Sequence, residues 1–302
     1  MNLIFLTIIL IIMNNILVTG ANGQLGTEIK ELSSKYSNLK FMFKDLPEFN
    51  ICDVEKINNI IETYEINTVI NCAAYTQVDE AEKNNKIANK VNSIGVSNIV
   101  KALERVDGKL IHISTDYVFD GSKSIPYKEL DPVNPLSVYG KTKRDGELFV
   151  INSTIDSIVI RTSWLYSSYG NNFVKTMHSL GKKKNSLSVI SDQIGTPTYT
   201  RDLAKVCLDI ISISDSERIS NKGKVYHYSN EGVASWYDFT VTIMELSGFN
   251  CKVEAIQTVD YPTSAKRPQY SVLDKTKIKK DFKIEIPYWK DSLKECINKL
   301  KQ

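Results

Sequence analysis

Two hydrophobic rhythms alternate along most of the chain. From Asn15, "NILVT" is a short, continuous run of apolar and β-branched residues, the pattern of a strand covered on both faces. Glycines follow. "QLGTEIKELSSKY" then sets Leu25, Ile29 and Leu32 at helical spacing. "LKFMFKD" predicts a second strand ending at Asp45. In "DVEKINNIIETYE" the residues Ile57, Ile60, Ile61 and Tyr64 share one helical face, and Asp53 stands at the N-cap. "TVINCAA" predicts a third strand, residues 78–106 are mostly helical, and "KLIHIST" predicts a fourth strand. A helix carrying Tyr139 and Lys143 comes next, then "SIVIRTSW".

Continuous apolar strands that alternate with helices imply a parallel sheet with helices on both faces. Right-handed crossovers make it an α/β, Rossmann-type doubly wound sheet. After Trp164 the rhythm changes. "NNFVKTMHSLG", "SWYDFTVTIMELSG" and "WKDSLKECINKLKQ" read as helices, and "SLSVIS" and "KVYHYSN" as strands. This predicts a sheet domain over 14–165 with a return segment near 200–228. A smaller, discontinuous C-terminal substrate lobe takes 166–199 and 229–302. Residues 1–13 stand apart as an apolar extension. Their run from Leu3 to Met13 is shorter than the roughly 20 residues that span a bilayer. It lacks a basic start and a small-residue cleavage site, so the working protein is expected to begin near Met13, without stable membrane insertion.

Composition removes several classes. A net charge of +3 is too small to argue for nucleic acid, and the run Lys182-Lys183-Lys184 reads as a solvated loop. The cysteines, Cys52, Cys72, Cys207, Cys251 and Cys296, are odd in number, widely spaced and free of C-x-x-C. That points away from disulfides and zinc and towards a reducing, cytoplasmic setting. Only three histidines, His112, His178 and His227, are available to a metal.

Candidate chemistry begins at "VTGANGQLG", where Gly20, Gly23 and Gly26 lie between a strand and a helix. Glycines there permit a tight turn and let a pyrophosphate approach the helix N-terminus. Asp45, at the end of the next strand, is placed for adenosine ribose hydroxyls and favours NAD, whereas Lys44 could take a 2′-phosphate. As a plain turn residue Asp45 would simply be solvated. The fourth strand ends in Ser114, Thr115 and Asp116, at the sheet edge where ligands bind. Tyr139 and Lys143, four apart, share a helical face. A free tyrosine has a pKa of about 10, and a nearby ammonium favours the phenolate. Tyr139 therefore reads as the proton donor to a carbonyl oxygen, Lys143 as its tuning cation and Thr115 as the group that holds the oxygen. The competing reading is an accidental pair on an exposed helix.

The motifs "TGANGQLG", "VINCAAYTQVDEAE", "VNSIGVSNIVKA", "ISTDYVFDG", "YGKTKRDGE", "RTSWLY", "GTPTYTRDLA" and "KRPQYSVLD" resemble the extended short-chain dehydrogenase/reductase family over nearly the whole chain from Asn14. The resemblance implies a catalytic set of Thr115, Tyr139 and Lys143, with NADPH or NADH as cofactor. Gly23, Gln24 and Leu25 would touch its phosphates, and Ala74, Tyr75 and Thr76 would line it. Lys143 would also bond the nicotinamide ribose. Asn50, beside Ile51, stands where the family usually has an acid against the adenine. Thr115, Asp116 and Trp164 would contact a dTDP-sugar, and Arg267 its diphosphate. The implied reaction is reduction of the C4 keto group of dTDP-4-dehydro-6-deoxy-L-mannose to dTDP-L-rhamnose, a precursor of surface polysaccharide. Mg²⁺ as an accessory ion and a homodimer are compatible with it.

Two other functions compete. A sugar-nucleotide epimerase or dehydratase would recycle a bound cofactor, but dehydratases of this kind carry an acidic pair where Asp116 is followed by Tyr117. A non-catalytic regulatory subunit, of the kind found with methionine adenosyltransferase, would not need the complete Thr115, Tyr139 and Lys143 set. Trp164 could equally be ordinary core and Asp116 a turn cap.

Overall fold

A computed structural model describes residues 14–213 and 222–301. The apolar start, residues 1–13, lies outside the described residues. The first five strands are β1 (Asn14–Thr19), β2 (Leu39–Lys44), β3 (Thr68–Asn71), β4 (Lys109–Thr115) and β5 (Asp156–Thr162). Four short strands follow: β6 (Leu165–Tyr166), β7 (Ser186–Ile190), β8 (Ile194–Gly195) and β9 (Thr198–Tyr199). Then come β10 (Lys224–His227), β11 (Ala234–Ser235) and β12 (Lys252–Ile256). The main sheet has the order β10-β5-β4-β3-β1-β2, and every neighbouring pair is parallel. The direction of strand addition reverses between β1 and β3, and ligands bind at such a switch point.

The strands are apolar throughout because they are covered on both sides. Ile16 and Val18 of β1 face one core, and Leu17 faces the other. The same alternation places Ile111 and Ile113 of β4 on the first side and Leu110 on the second. The helices α1 (Gln24–Ser33), α2 (Val54–Thr63), α3 (Val78–Lys83), α4 (Asn85–Asn89), α5 (Gly95–Glu104) and α6 (Val138–Ile151) come from the first half. α7 (Phe173–Gly181), α8 (Thr200–Ser212), α9 (Trp236–Ser247), α10 (Thr276–Phe282) and α11 (Trp289–Leu300) come from the second. Leu25, Ile29 and Leu32 of α1 join Leu203 and Leu208 of α8 in the first core. Ile57 and Ile61 of α2 join Val96, Ile99 and Leu103 of α5 in the second. Each such aliphatic side chain contributes about 1.5–3 kcal/mol by leaving water.

A third core is built from other segments. Val174 of α7, Leu187 and Val189 of β7, Phe239 and Ile243 of α9, and Leu293 and Ile297 of α11 pack together. β12, not anticipated from the sequence, pairs in parallel with β7. Its residues are mostly exposed, so it carries no apolar rhythm to read. The helical stretch 78–106 is broken into α3, α4, a π-helical turn at Lys90–Ile94, and α5.

α6 is fixed to the sheet by charge. Glu147, fully buried, receives two 2.8 Å hydrogen bonds from Arg161 of β5 and one of 2.9 Å from Arg144. Burial alone would raise the Glu147 carboxyl, but the hydrogen bonds and charge of Arg161 bring it below its ordinary value. The first turn of α6 is capped twice. Ser137 accepts from the Gly140 amide at 3.1 Å, and Glu82 accepts from the Val138 amide at 2.8 Å.

Candidate active site

A cleft of about 730 Å³ opens along the carboxyl ends of β1 to β5. Gly20 follows β1 with φ +63°, and a Cβ there would stand 2.6 Å from the Ala73 amide nitrogen. Only glycine combines that conformation with that approach. Gly23 caps α1 with no side-chain bond, so the helix begins with its amides uncovered by any side chain. Asp45, directly after β2, accepts a 2.8 Å bond from the Asn22 amide and so ties the loop to the neighbouring strand. The Oδ1 of Asn50 accepts from the Cys52 amide at 2.9 Å. Ala74, Tyr75 and Thr76 follow β3. Asn92 on the π-helical turn brackets that segment, accepting from the Tyr75 amide at 2.8 Å and donating to its carbonyl at 3.1 Å.

The far side carries the titratable groups. The Thr115 hydroxyl donates to Asp116 at 3.1 Å and accepts from the Tyr117 amide at 3.2 Å. Lys143 is buried, and its ammonium donates to the Ile113 carbonyl at 2.6 Å. His112 lies 3.5 Å beyond, in a line continued by Asn71 and Thr19. Burial pushes Tyr139 up to about 12, against the pull of a hydrogen bond with Thr115, while the charge of Asp116 adds to the rise. Burial pushes Lys143 down to about 8, opposed by Glu147 and Cys72. Burial also raises Asp116 to about 6, against hydrogen bonds from Ser271 and Thr115.

Gly20, Gly23, Gln24, Leu25, Asp45, Asn50, Ile51, Ala74, Tyr75 and Thr76 all line this cleft. So do Thr115, Asp116, Tyr139, Lys143 and Trp164. Two of the expected residues stand back from the cleft lining. Gly26 is not on the wall; it packs behind the loop against Ala21 and the Gly20 carbonyl, where a Cβ would collide. Arg267 is also off the wall. Its guanidinium is taken by Asp79, at 2.6 and 3.2 Å, and by the Ala265 carbonyl.

Some lining residues were invisible to sequence reasoning. Asn172 caps α7 and donates to Gln24 at 3.0 Å, joining the third core's α7 to the glycine loop. Trp236 opens α9 behind a capping box formed by Ser235 and Asp238. The box was readable in "SWYD", but the arrival of its tryptophan at the cleft was not. Among the described residues no group of three or more His, Cys, Asp or Glu side chains could hold a metal ion, so nothing here supplies a cage for Mg²⁺. No helix among them is long and apolar enough to cross a membrane.

A glycine loop and strand ends that open into one cleft at a topological switch point define a nucleotide-binding α/β protein. The family described as the RmlD substrate binding domain matches residues 13–302, and the chain belongs to that family. It is 42% identical to a dTDP-4-dehydrorhamnose reductase of Aggregatibacter actinomycetemcomitans, over 93% of this chain and 98% of that one. A solved dTDP-4-dehydrorhamnose reductase of Clostridium acetobutylicum aligns with a TM-score of 0.87 and 43% identity, covering 95% of this chain and 100% of its own. Another from Bacillus anthracis, solved in complex with NADP, aligns with a TM-score of 0.88 and 35% identity over 95% and 99% of the two chains.

Proposed function

We propose that the chain reduces the C4 keto group of dTDP-4-dehydro-6-deoxy-L-mannose, giving dTDP-L-rhamnose at the expense of NADPH. The observation that carries this reading is the convergence of Thr115, Tyr139 and Lys143 on the wall of the cleft that the glycine loop opens. The loop fits a dinucleotide: the Gly20 turn keeps side chains out of the cradle, and α1 presents its uncapped amide end. NADPH is favoured over NADH by the NADP held by the Bacillus anthracis relative.

The bound nicotinamide supplies the hydride, and the residues of the chain handle the proton. Burial keeps Tyr139 protonated until the carbonyl oxygen becomes basic. Tyr139 then gives that oxygen its proton, and the Thr115 hydroxyl, turning from Asp116, can donate to the phenolate that remains. Lys143, anchored on the Ile113 carbonyl, presents a cation beside the cofactor ribose. Gly23, Gln24 and Leu25 take the cofactor phosphates, and Asp45, Asn50 and Ile51 its adenosine end. Asp116 and Trp164 face the sugar. Arg267 reaches the diphosphate only by leaving Asp79. The sheet carries the cofactor and the second lobe the sugar nucleotide. The free thiols of all five cysteines fit a reducing cytoplasm.

The test is loss of reduced-nicotinamide absorbance with purified protein and enzymatically generated keto sugar, NADPH and NADH being run in parallel. Oxidation that Tyr139→Phe abolishes supports the reading. Folded protein that oxidises neither cofactor removes it.

A further inference from the structure

The indole of Trp164 needs outside support. Its backbone has φ +49°, a region bulky residues seldom adopt, and its ring is only partly buried on the cleft wall. Two neighbours supply that support. Gly195 gives it room, since a Cβ there would lie 2.7–2.9 Å from three atoms of the indole. Trp236 stacks on it, with ring centroids 3.5 Å apart and planes 8° from parallel. The fold brings these together because β8 and β11 pair antiparallel, Ala234 facing Gly195, which sets Trp236 two residues further on. Phe173 leans on Trp236 at 4.5 Å and Phe239 stacks on Phe173 at 5.7 Å, so the pair is tied into the third core.

We infer that Trp236 is a positioning residue for the sugar nucleotide, acting through Trp164, whose ring it holds as a fixed wall of the cleft. This rests on the proposed reductase reading and extends it. The aromatic stack is formed before the sugar arrives, so binding does not have to order an indole. Removing Trp236 frees the Trp164 ring directly, whereas it meets the glycine loop only at one remove, through Phe173 and Asn172. The loss therefore falls on sugar-nucleotide affinity and not on cofactor affinity or on the chemical step.

Trp236→Leu, Trp236→Phe, Trp164→Leu and the double leucine variant test this. Two indoles stacked so closely give an exciton couplet in circular dichroism, which each single variant is expected to lose. In Trp236→Leu the KM for the keto sugar rises about tenfold, while kcat and the KM for NADPH stay within about twofold. Trp236→Phe recovers most of that loss, and the double variant is no worse than Trp164→Leu, because both act on one wall. An unchanged sugar KM in Trp236→Phe and Trp236→Leu, or additive effects in the double variant, overturns the inference. If the wild type oxidises no NADPH with this sugar, the functional reading falls separately. The inference is then judged by titrating dTDP-L-rhamnose against tryptophan fluorescence. Equal affinity in wild type and Trp236→Leu overturns it; weaker binding in that variant, largely recovered in Trp236→Phe, supports it.

Discussion

The wall of the cleft running from Gly20 to Thr76 takes its shape from backbone turns at the strand ends, whereas the wall around Trp164, Phe173 and Trp236 is made of aromatic rings. The first is built by consecutive strand–loop units of one sheet, and its shape follows from a positive φ, an uncapped helix end and a close approach to Ala73. The second is drawn from segments some 70 residues apart and holds its shape by stacking. Between them stands α6, which carries Tyr139 and Lys143 and is bolted to β5 through Glu147 and Arg161. A backbone wall tolerates little substitution where the chain passes closest. A stacked wall can be loosened by degrees.

The largest expected effect is on the element shared by both walls. Tyr139→Phe should lower kcat by about 10²–10⁴ while NADPH still binds, as a general acid is removed and neither wall is disturbed. Single-turnover kinetics together with cofactor titration check it; loss of NADPH binding would mean that the phenol also shapes the backbone wall. Glu147→Ala should follow. It leaves Arg161 buried and unpaired, and the expected loss is about 3–5 kcal/mol in urea denaturation. If stability hardly changes, α6 is held by packing and not by charge.

Asp116 sharpens the comparison further, since its carboxyl lines the cleft yet costs the fold. Its pKa is raised from the ordinary carboxylate value to about 6, so the native state binds the proton more tightly than the unfolded chain. The sign follows: stability is greatest below about pH 4 with respect to this group and is lost as pH rises through about 6. Asp116→Asn should then stabilise the protein at pH 7 by on the order of 2 kcal/mol and leave stability near pH 4 unchanged, while raising the KM for the sugar. Denaturation at both pH values reads it, and equal shifts at the two would show that the carboxylate is not the cause. The smallest effect is a control outside both walls. Asp53 caps α2 by accepting from the Lys56 amide at 3.2 Å, and Asp53→Ala should cost about 1 kcal/mol with no change in kcat or either KM.

The legibility of these regions differs for the same reason. Five sheet strands and the α2 cap were readable because their signals are local: a continuous apolar run, a glycine after a strand, an aspartate before an apolar face. Tyr139 and Lys143 were readable because four residues on one helix face stay together whatever the rest of the chain does. The pairing of Arg267 with Asp79 was not readable, because the two lie 188 residues apart and no spacing rule links them. At Gly26 the structure adds a packing reason for glycine that no spacing records: α1 passes close to its own loop there.

The sequence by itself determined the alternation of buried strands and helices, the glycine turn after β1, and the placing of Tyr139 and Lys143 one turn apart on the helix after β4. These depend on backbone conformation and on periodicity, which neighbours along the chain decide. Tertiary structure alone decided that Asn92 brackets Tyr75, that Asn172 reaches Gln24 and that Trp236 stacks on Trp164. It also decided that Tyr139 is closed off from water, and that burial raises its phenol. Desolvation and stacking arise only when distant segments close over a group and exclude water, so no local pattern records them.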